Sequence, residues 1–233
     1  MTGICYDLHI HSCLSPCASD DMTPANIAGM ASIKGLSLIA LTDHNSGRNL
    51  KVMSEAAAEF GLSFIPGIEV TSTEEVHILT YFKNVEDAVC FGEFLYDALP
   101  DILNRPEIFG HQIVMGKDDQ PMDELPKLLL QATPFSLDEI SRLVREAGGC
   151  SVPAHINRTS FSVCSNLGFM PPGLFRAAEV SADLPCPTVD SSLYILHSSD
   201  AHSLGDISEP IHHLDFIHNS TDFVDFINKT DLK

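Results

Sequence analysis

An α/β fold built on a mostly parallel sheet, open or closed into a barrel, is what this sequence predicts. Three observations lead there. Strand and helix signals alternate along the first half of the chain, so βα units repeat. Strand candidates such as Leu36–Leu41 are short, wholly apolar runs, as expected of strands buried on both faces. Histidines and acidic residues recur where those runs end, the rim on which α/β barrels carry their sites.

The elements follow in order. Ile4–Ile10 reads as the first strand. Thr23 and Pro24 start a helix, with Thr23 as cap and Pro24 at the first helical position. That helix runs to Lys34 and stops at Gly35. Leu36–Leu41 is the second strand, Ser46–Phe60 a helix closed by Gly61, Leu62–Val70 the third strand and Val76–Phe82 the fourth. Val85–Leu99 is an amphipathic helix. Pro100, Pro106, Pro121 and Pro126 break residues 100–132 into a loop-rich insertion with short helices. Ser136-Leu137-Asp138-Glu139 is a capping box opening a helix that ends at Gly148-Gly149. Strands follow at Cys150–Ala154, Ala177–Ser181 and Leu193–Ser198, with Pro/Gly-punctuated connections at 161–175 and 183–190. Thr221–Lys229 is a terminal helix. With no repeat, low-complexity tract or clear linker, residues 1–233 are expected to form a single domain.

Composition narrows the function classes. A 44% apolar fraction excludes disorder. The net charge of −19, without a Lys/Arg cluster, argues against long nucleic acids and anionic membrane surfaces. A small anionic substrate remains compatible if bound cations reverse the local field. No apolar run approaches the ~20 residues of a membrane span, and Asp7 and His9 interrupt the N-terminal run, against a signal peptide. Seven cysteines without a CxxC pair read as reduced thiols and a cytoplasmic setting.

The chemistry lies at the strand ends. His9 and His11 end the first strand, on one side of it because the strand period is two. Asp43 and His44 end the second, and Glu69 the third. His77 lies in the fourth, His155 follows Cys150–Ala154, and Asp200 and His202 follow Leu193–Ser198. On one barrel face this series gathers six histidines with carboxylates, a donor set that suits zinc, manganese or iron. One such histidine alone would be an ordinary packed or surface residue; the ordered series is not.

That series, carried by Asp7-Leu8-His9-Ile10-His11-Ser12, Leu41-Thr42-Asp43-His44-Asn45, Gly67-Ile68-Glu69-Val70, Val76-His77-Ile78-Leu79, Pro153-Ala154-His155 and Ser198-Ser199-Asp200-Ala201-His202, resembles the polymerase and histidinol phosphatase (PHP) superfamily of metal-dependent phosphoesterases. The resemblance covers roughly Ile4 to Gly205. It implies a distorted (β/α)7 barrel of mostly parallel strands, with two or three divalent metal ions in a cleft at the strand C-terminal face. Carried over residue by residue, it implies a first site of His9, His11, Glu69 and Asp200. A second shares Glu69 and adds His77 and His155. A third uses His44, His202 and a ligand from the loop after His11. Asp20 is the expected loop ligand. The alternatives are Asp21, otherwise read as helping to cap the following helix, and Cys17, a thiolate where histidinol phosphatases place a histidine.

The implied activity is hydrolysis of a small phosphomonoester, a nucleotide or nucleoside phosphate, by in-line attack of a metal-bridging hydroxide without a covalent phosphoenzyme. No side chain is then itself the nucleophile. Arg158, three residues after His155, offers a fork for the phosphate. Asp43 either orients a ligand imidazole or accepts hydrogen bonds at the strand end. His111, His197, His212, His213 and His218 read as structural or exposed. Phe109, Phe161 and Phe169 lie in connections where an aromatic ring either packs or stacks on a nucleobase. Competing readings are an exonuclease on short oligonucleotides, a non-catalytic metal-stabilised module, and an amidohydrolase; a bridging lysine expected of one amidohydrolase type is absent from the strand ends. Oligomeric state is not encoded legibly.

Overall fold

Short connections decide the topology. In the computed structural model, residues 3–181, 184–215, 217 and 219–229 are described. Their strands are β1 (Ile4–Asp7), β2 (Leu38–Leu41), β3 (Ser63–Thr71), β4 (His77–Tyr81), β5 (Ile113–Met115), β6 (Pro121–Glu124), β7 (Cys150–Pro153), β8 (Ala177–Ser181), β9 (Tyr194–Ser198) and β10 (His213–Leu214). The helices are α1 (Pro24–Ile33), α2 (Leu50–Glu59), α3 (Val85–Ala98), α4 (Pro106–Phe109), α5 (Leu137–Glu146), α6 (Val163–Leu167) and α7 (Ser220–Lys229).

β1, β2 and β3 are parallel, in register Tyr6↔Leu38 and Ile39↔Phe64. β4 then runs antiparallel to β3, with Glu69 opposite Leu79, and β7 antiparallel to β4. The six-stranded sheet has the order β10-β1-β2-β3-β4-β7, and β8 and β9 form a separate parallel pair. The expected distorted (β/α)7 barrel of mostly parallel strands is therefore corrected to a curled half-barrel of mixed strands. The cause is physical: only Ser72–Val76 separate β3 from β4, far fewer than the dozen or more residues a parallel crossover needs.

The period of two along each strand sorts the core. Tyr6, Leu8, Leu38, Ala40, Ile65, Leu79, Val152, Ala177 and Leu196 fill the concave side with Phe223, Val224 and Ile227 of α7. Ile39, Leu41, Ile68, Val70 and Ile78 lie on the other face, beneath α1, α2, α3 and α5. Phe223 packs edge-on against Tyr81, at the opposite end of β4 from His77. Truncating it to alanine would cost about 3–5 kcal/mol. Thr23 caps α1 by accepting from the Asn26 amide, and Ser136 and Glu139 form the expected capping box on α5. Among the described residues no helix is long and apolar enough to cross a membrane.

The β8–β9 pair meets the larger sheet through individual bonds at the rim. The Ile156 amide donates to Glu179 O (2.9 Å), and Asn157 exchanges two bonds with Ser181. On the other flank the His11 amide donates to Ala201 O (3.0 Å) and the Ala201 amide to His9 O (3.2 Å). Buried Asp7 accepts from the Ser199 hydroxyl (2.6 Å) and from the Ser199 and Ser208 amides.

The insertion is more regular than expected, containing the β5–β6 hairpin as well as the short helix α4. Buried Gln112 organises it, donating to Leu125 O and Lys127 O and accepting from the Leu129 amide. It is pressed onto the loop after His11. The Ile113 amide donates to Cys13 O, and Gly110, at φ +97°, sits where a Cβ would lie 2.0 Å from Pro16 O.

Candidate metal centre

The predicted strand ends bring their side chains together at one rim of the sheet, where His44, Glu69, His77, His155, Asp200 and His202 line a cleft. Ile68 and Val70 face the helices, so Glu69 between them faces inward, where it is buried. Because β4 is antiparallel, it is the start of β4 that places His77 at the rim, opposite Thr71. His44 is bridged to Glu69 alongside β2 and β3. Left-handed backbone at Asn45, His155 and Asp200 (φ +48°, +28° and +55°) turns the chain as it leaves the sheet, a strain typical of functional sites.

Glu69 is the hub. Its Oε1 lies 3.3 Å from His9 Nε2, 3.0 Å from His77 Nδ1 and 3.3 Å from His155 Nε2. Its Oε2 lies 3.4 Å from His11 Nε2 and 3.1 Å from His44 Nδ1. Neither oxygen has a hydrogen-bond partner of good geometry, and His44 Nδ1 and His155 Nδ1 are likewise buried without one. Asp200 Oδ1 lies 3.2 Å from His9 Nε2 and 3.1 Å from His11 Nε2, while its Oδ2 meets Arg158 Nη1 at 2.5 Å.

The surrounding bonds fix which ring nitrogens point inward. His9 Nδ1–H donates to Glu179 Oε2 at 2.7 Å. The Ser15 hydroxyl gives its one proton to Asp43 Oδ1 (2.7 Å), so Ser15 Oγ accepts from His11 Nδ1–H (3.0 Å) and from the His44 amide (3.1 Å). In this tautomer the Nε2 lone pairs of His9 and His11 converge, 3.1 Å apart, beside two carboxylates. Such a constellation is stable only with a cation or protons among its members. Without a metal, protons do this. Burial opposes protonation of His9, but Asp200, Glu179 and Glu69 outweigh it and hold its pKa well above the usual value. His11, under the same opposition of burial against Asp200 and Glu69, is pushed up to about 9. Burial raises Glu69 and Asp200, yet the imidazoles more than reverse this and hold both well below the carboxylate range. His44 and His202 are pushed down by burial, His202 to about 4, and are ready neutral donors.

The donors cluster as His9–His11–Glu69, His44–Glu69–His77 and His11–His44–His202, each set within 4.8 Å, which fits ligation of divalent ions. His155 and Asp200 flank these sets through Glu69 and the two Nε2 atoms. Asp20 is exposed and belongs to no set; Cys17 is the residue of that loop that lines the cleft. Asp21 contributes its carbonyl to Asn26 Nδ2, while the carboxylate bonding Thr23 and the Ala25 amide comes from Asp119. Asp43 takes the Ser12 amide and hydroxyl besides Ser15, so it reaches His11 through Ser15. Arg158 lines the cleft. His111 is exposed against Glu124, His197 stacks on His212, His213 Nε2 meets Cys5 Sγ, and His218 lies outside the described residues. Phe161 lines the cleft, which has a volume of about 260 Å³; Phe109 and Phe169 do not.

Three buried residues that brace the cluster through hydrogen bonds escaped the sequence reading. Glu179 carried a signal, a lone carboxylate within the apolar strand Ala177–Ser181. Asp7 likewise sits buried between apolar residues. Ser15 carried none.

A curled α/β sheet with a histidine–carboxylate cluster at its rim is a setting that could hold metal ions, and comparison with known proteins gives the family. The chain matches the PHP domain over residues 7–147 and belongs to that family. It is 37% identical over 76 residues to the 3',5'-nucleoside bisphosphate phosphatase of Chromobacterium violaceum, a stretch covering 31% of this chain and 26% of that one. Its fold is similar to that of the lesion-specific endonuclease of Pyrococcus furiosus, with a TM-score of 0.61 at 19% identity, covering 97% of this chain and 56% of that one. A Bifidobacterium adolescentis protein described as a metal-dependent phosphoesterase matches with a TM-score of 0.56 at 18% identity, over 94% and 93% of the two chains. The chain thus spans about a quarter of the curated relative and just over half of the endonuclease.

Proposed function

We propose that this chain hydrolyses a small phosphomonoester, a nucleotide or nucleoside phosphate, with divalent metal ions. The observation that carries the reading is the pair of converging His9 and His11 Nε2 atoms beside the unpartnered Glu69 carboxylate, which itself lines a cleft of about 260 Å³. His9, His11, Glu69 and Asp200 would hold one ion; Glu69, His77 and His155, with His44 close by, a second; and His44 and His202 a third, its further donor coming from Asp20 or Cys17. Zinc, manganese or iron held there supplies Lewis acidity and makes water acidic enough to act as a nucleophile near neutral pH.

The chain's own residues do the rest. Glu179, Ser15 and Asp43 keep the His9 and His11 rings turned inward. Arg158 keeps one Nη on Asp200 and presents its remaining donors to a phosphate oxygen. Leu130 and Phe161 line the cleft with hydrocarbon, which would limit the water beside the phosphate. Transfer is direct to water, so a trapped phosphoenzyme would refute this scheme.

The size of the cleft and the net charge of −19 support a small substrate over a polymer, and the bisphosphate phosphatase relative supports a nucleotide. The test is phosphate release from a panel of phosphomonoesters and short oligonucleotides with manganese supplied, and His9→Ala as control. Release from the monoesters, lost in His9→Ala, is expected. Cleavage of the oligonucleotides alone, or no release from metal-loaded protein, would overturn the reading.

A further inference from the structure

Phe161 sits where a phenyl ring gains little from the fold. It lies six residues after His155, its backbone φ is +53°, and it is 43% exposed. A left-handed φ on a bulky residue is strained, and an exposed ring forgoes the gain of burial. Its surroundings nevertheless pin it. Phe161 O accepts the His77 amide at 2.9 Å, and its ring stacks on the His77 imidazole with centroids 4.6 Å apart and planes 21° apart. That stack occupies one face of the ring, which also borders the cleft. Among the described lining residues, Phe161 and Leu130 alone have side chains made only of hydrocarbon.

We propose that Phe161, seconded by Leu130, is the specificity-determining residue of this cleft: it receives the leaving alcohol and selects one that carries a flat aromatic group, the base of a nucleoside or an aryl ring, over a polyol. The proposal rests on the phosphomonoesterase reading above. A flat ring stacks on phenyl at little cost in order, because the phenyl is already fixed against His77. A polyol would bring hydroxyls against hydrocarbon, losing water without gaining partners.

The test compares kcat/KM for phenyl phosphate and for glycerol phosphate in manganese-loaded wild type and F161L. Leucine keeps hydrocarbon bulk over His77 and removes the aromatic face. The phenyl-to-glycerol ratio is expected to fall about tenfold, the scale of base–aromatic stacking in alanine substitutions. An unchanged ratio overturns the proposal, for Phe161 then only shields His77. A second measurement needs no turnover: calorimetric binding of phenylphosphonate and methylphosphonate. Wild type should prefer phenylphosphonate and F161L should not. Absence of a preference in wild type overturns the subsite whether or not any ester is hydrolysed. A preference without hydrolysis of any ester sinks the activity reading and leaves the subsite standing.

Discussion

Glu179→Gln isolates the bond that aims His9. The substitution keeps shape and volume while removing the charge that accepts His9 Nδ1–H at 2.7 Å, with both residues fully buried. Carboxylates that orient a ligating imidazole are worth roughly 10–100-fold in metal affinity, about 1.4–2.8 kcal/mol. A buried hydrogen bond to a charged group contributes a similar amount, about 1.5–3 kcal/mol. The loss should depend on pH. Glu179 is one of the three carboxylates that keep His9 protonated in the metal-free chain, so the variant holds that proton less tightly. An entering ion then meets a weaker competitor at low pH. The deficit should therefore be largest in alkaline solution and shrink towards pH 6.5. Competition against a chelating dye from pH 6.5 to 9.5 measures both quantities. A variant within twofold of wild type throughout, or a deficit constant with pH, would refute the control of His9 by Glu179.

Other predictions concern stability, the insertion and the substrate. His11 is raised from 6.5 to about 9 in the metal-free fold, so its contribution, on the order of 3 kcal/mol, is fully present below pH 6.5 and lost as pH rises through 9. Cys13, pushed up to about 12 by burial, deepens the fall above pH 9. Thermal unfolding in chelator should show Tm decreasing over that window, and saturating manganese should reverse the trend; a metal-free Tm that rises would contradict it. Gly110→Ala puts a Cβ 2.0 Å from Pro16 O at φ +97°, and should cost about 3 kcal/mol, a Tm loss of roughly 6–12 °C by calorimetry. Arg158→Ala should raise KM for a phosphomonoester about tenfold or more, the scale of one charged hydrogen bond; steady-state kinetics with KM and kcat both intact would remove Arg158 from substrate binding.

The strand-end histidines were legible because alternation along a strand is local: His9 and His11 share a side whatever the tertiary fold. Direction is not local. The residues of β4 read the same in a parallel or an antiparallel strand, and only the five-residue connection to β3 reveals the hairpin. Glu179 was missed for a related reason. A carboxylate in mid-strand has no motif of its own, and it acquires a role only when β8 comes to lie beside His9. For the loop after His11, spacing alone does not choose the donor. Asp20 has the right chemistry and a plausible spacing, but the turns closed by the Ala18 and Met22 amides leave it exposed, with Cys17 on the cleft wall. The insertion hairpin is held by Gln112 bonds that no periodicity announces.

The seam between the two sheets runs through the cluster. His9, His11, Glu69, His77 and the His155 loop hang from the six-stranded side, whereas Asp200 and His202 hang from the end of β9. A cation held as proposed by His9, His11 and Asp200 would be a rivet joining two separately laddered pieces of backbone. Stripping it should loosen the architecture unevenly: amide exchange should quicken first in β8, β9 and the 199–208 loop, while the β1–β2–β3 ladder keeps its protection. The catalytic inventory and the mechanical integrity of the half-barrel would then be one property, and metal starvation would register as a change of shape as well as of chemistry.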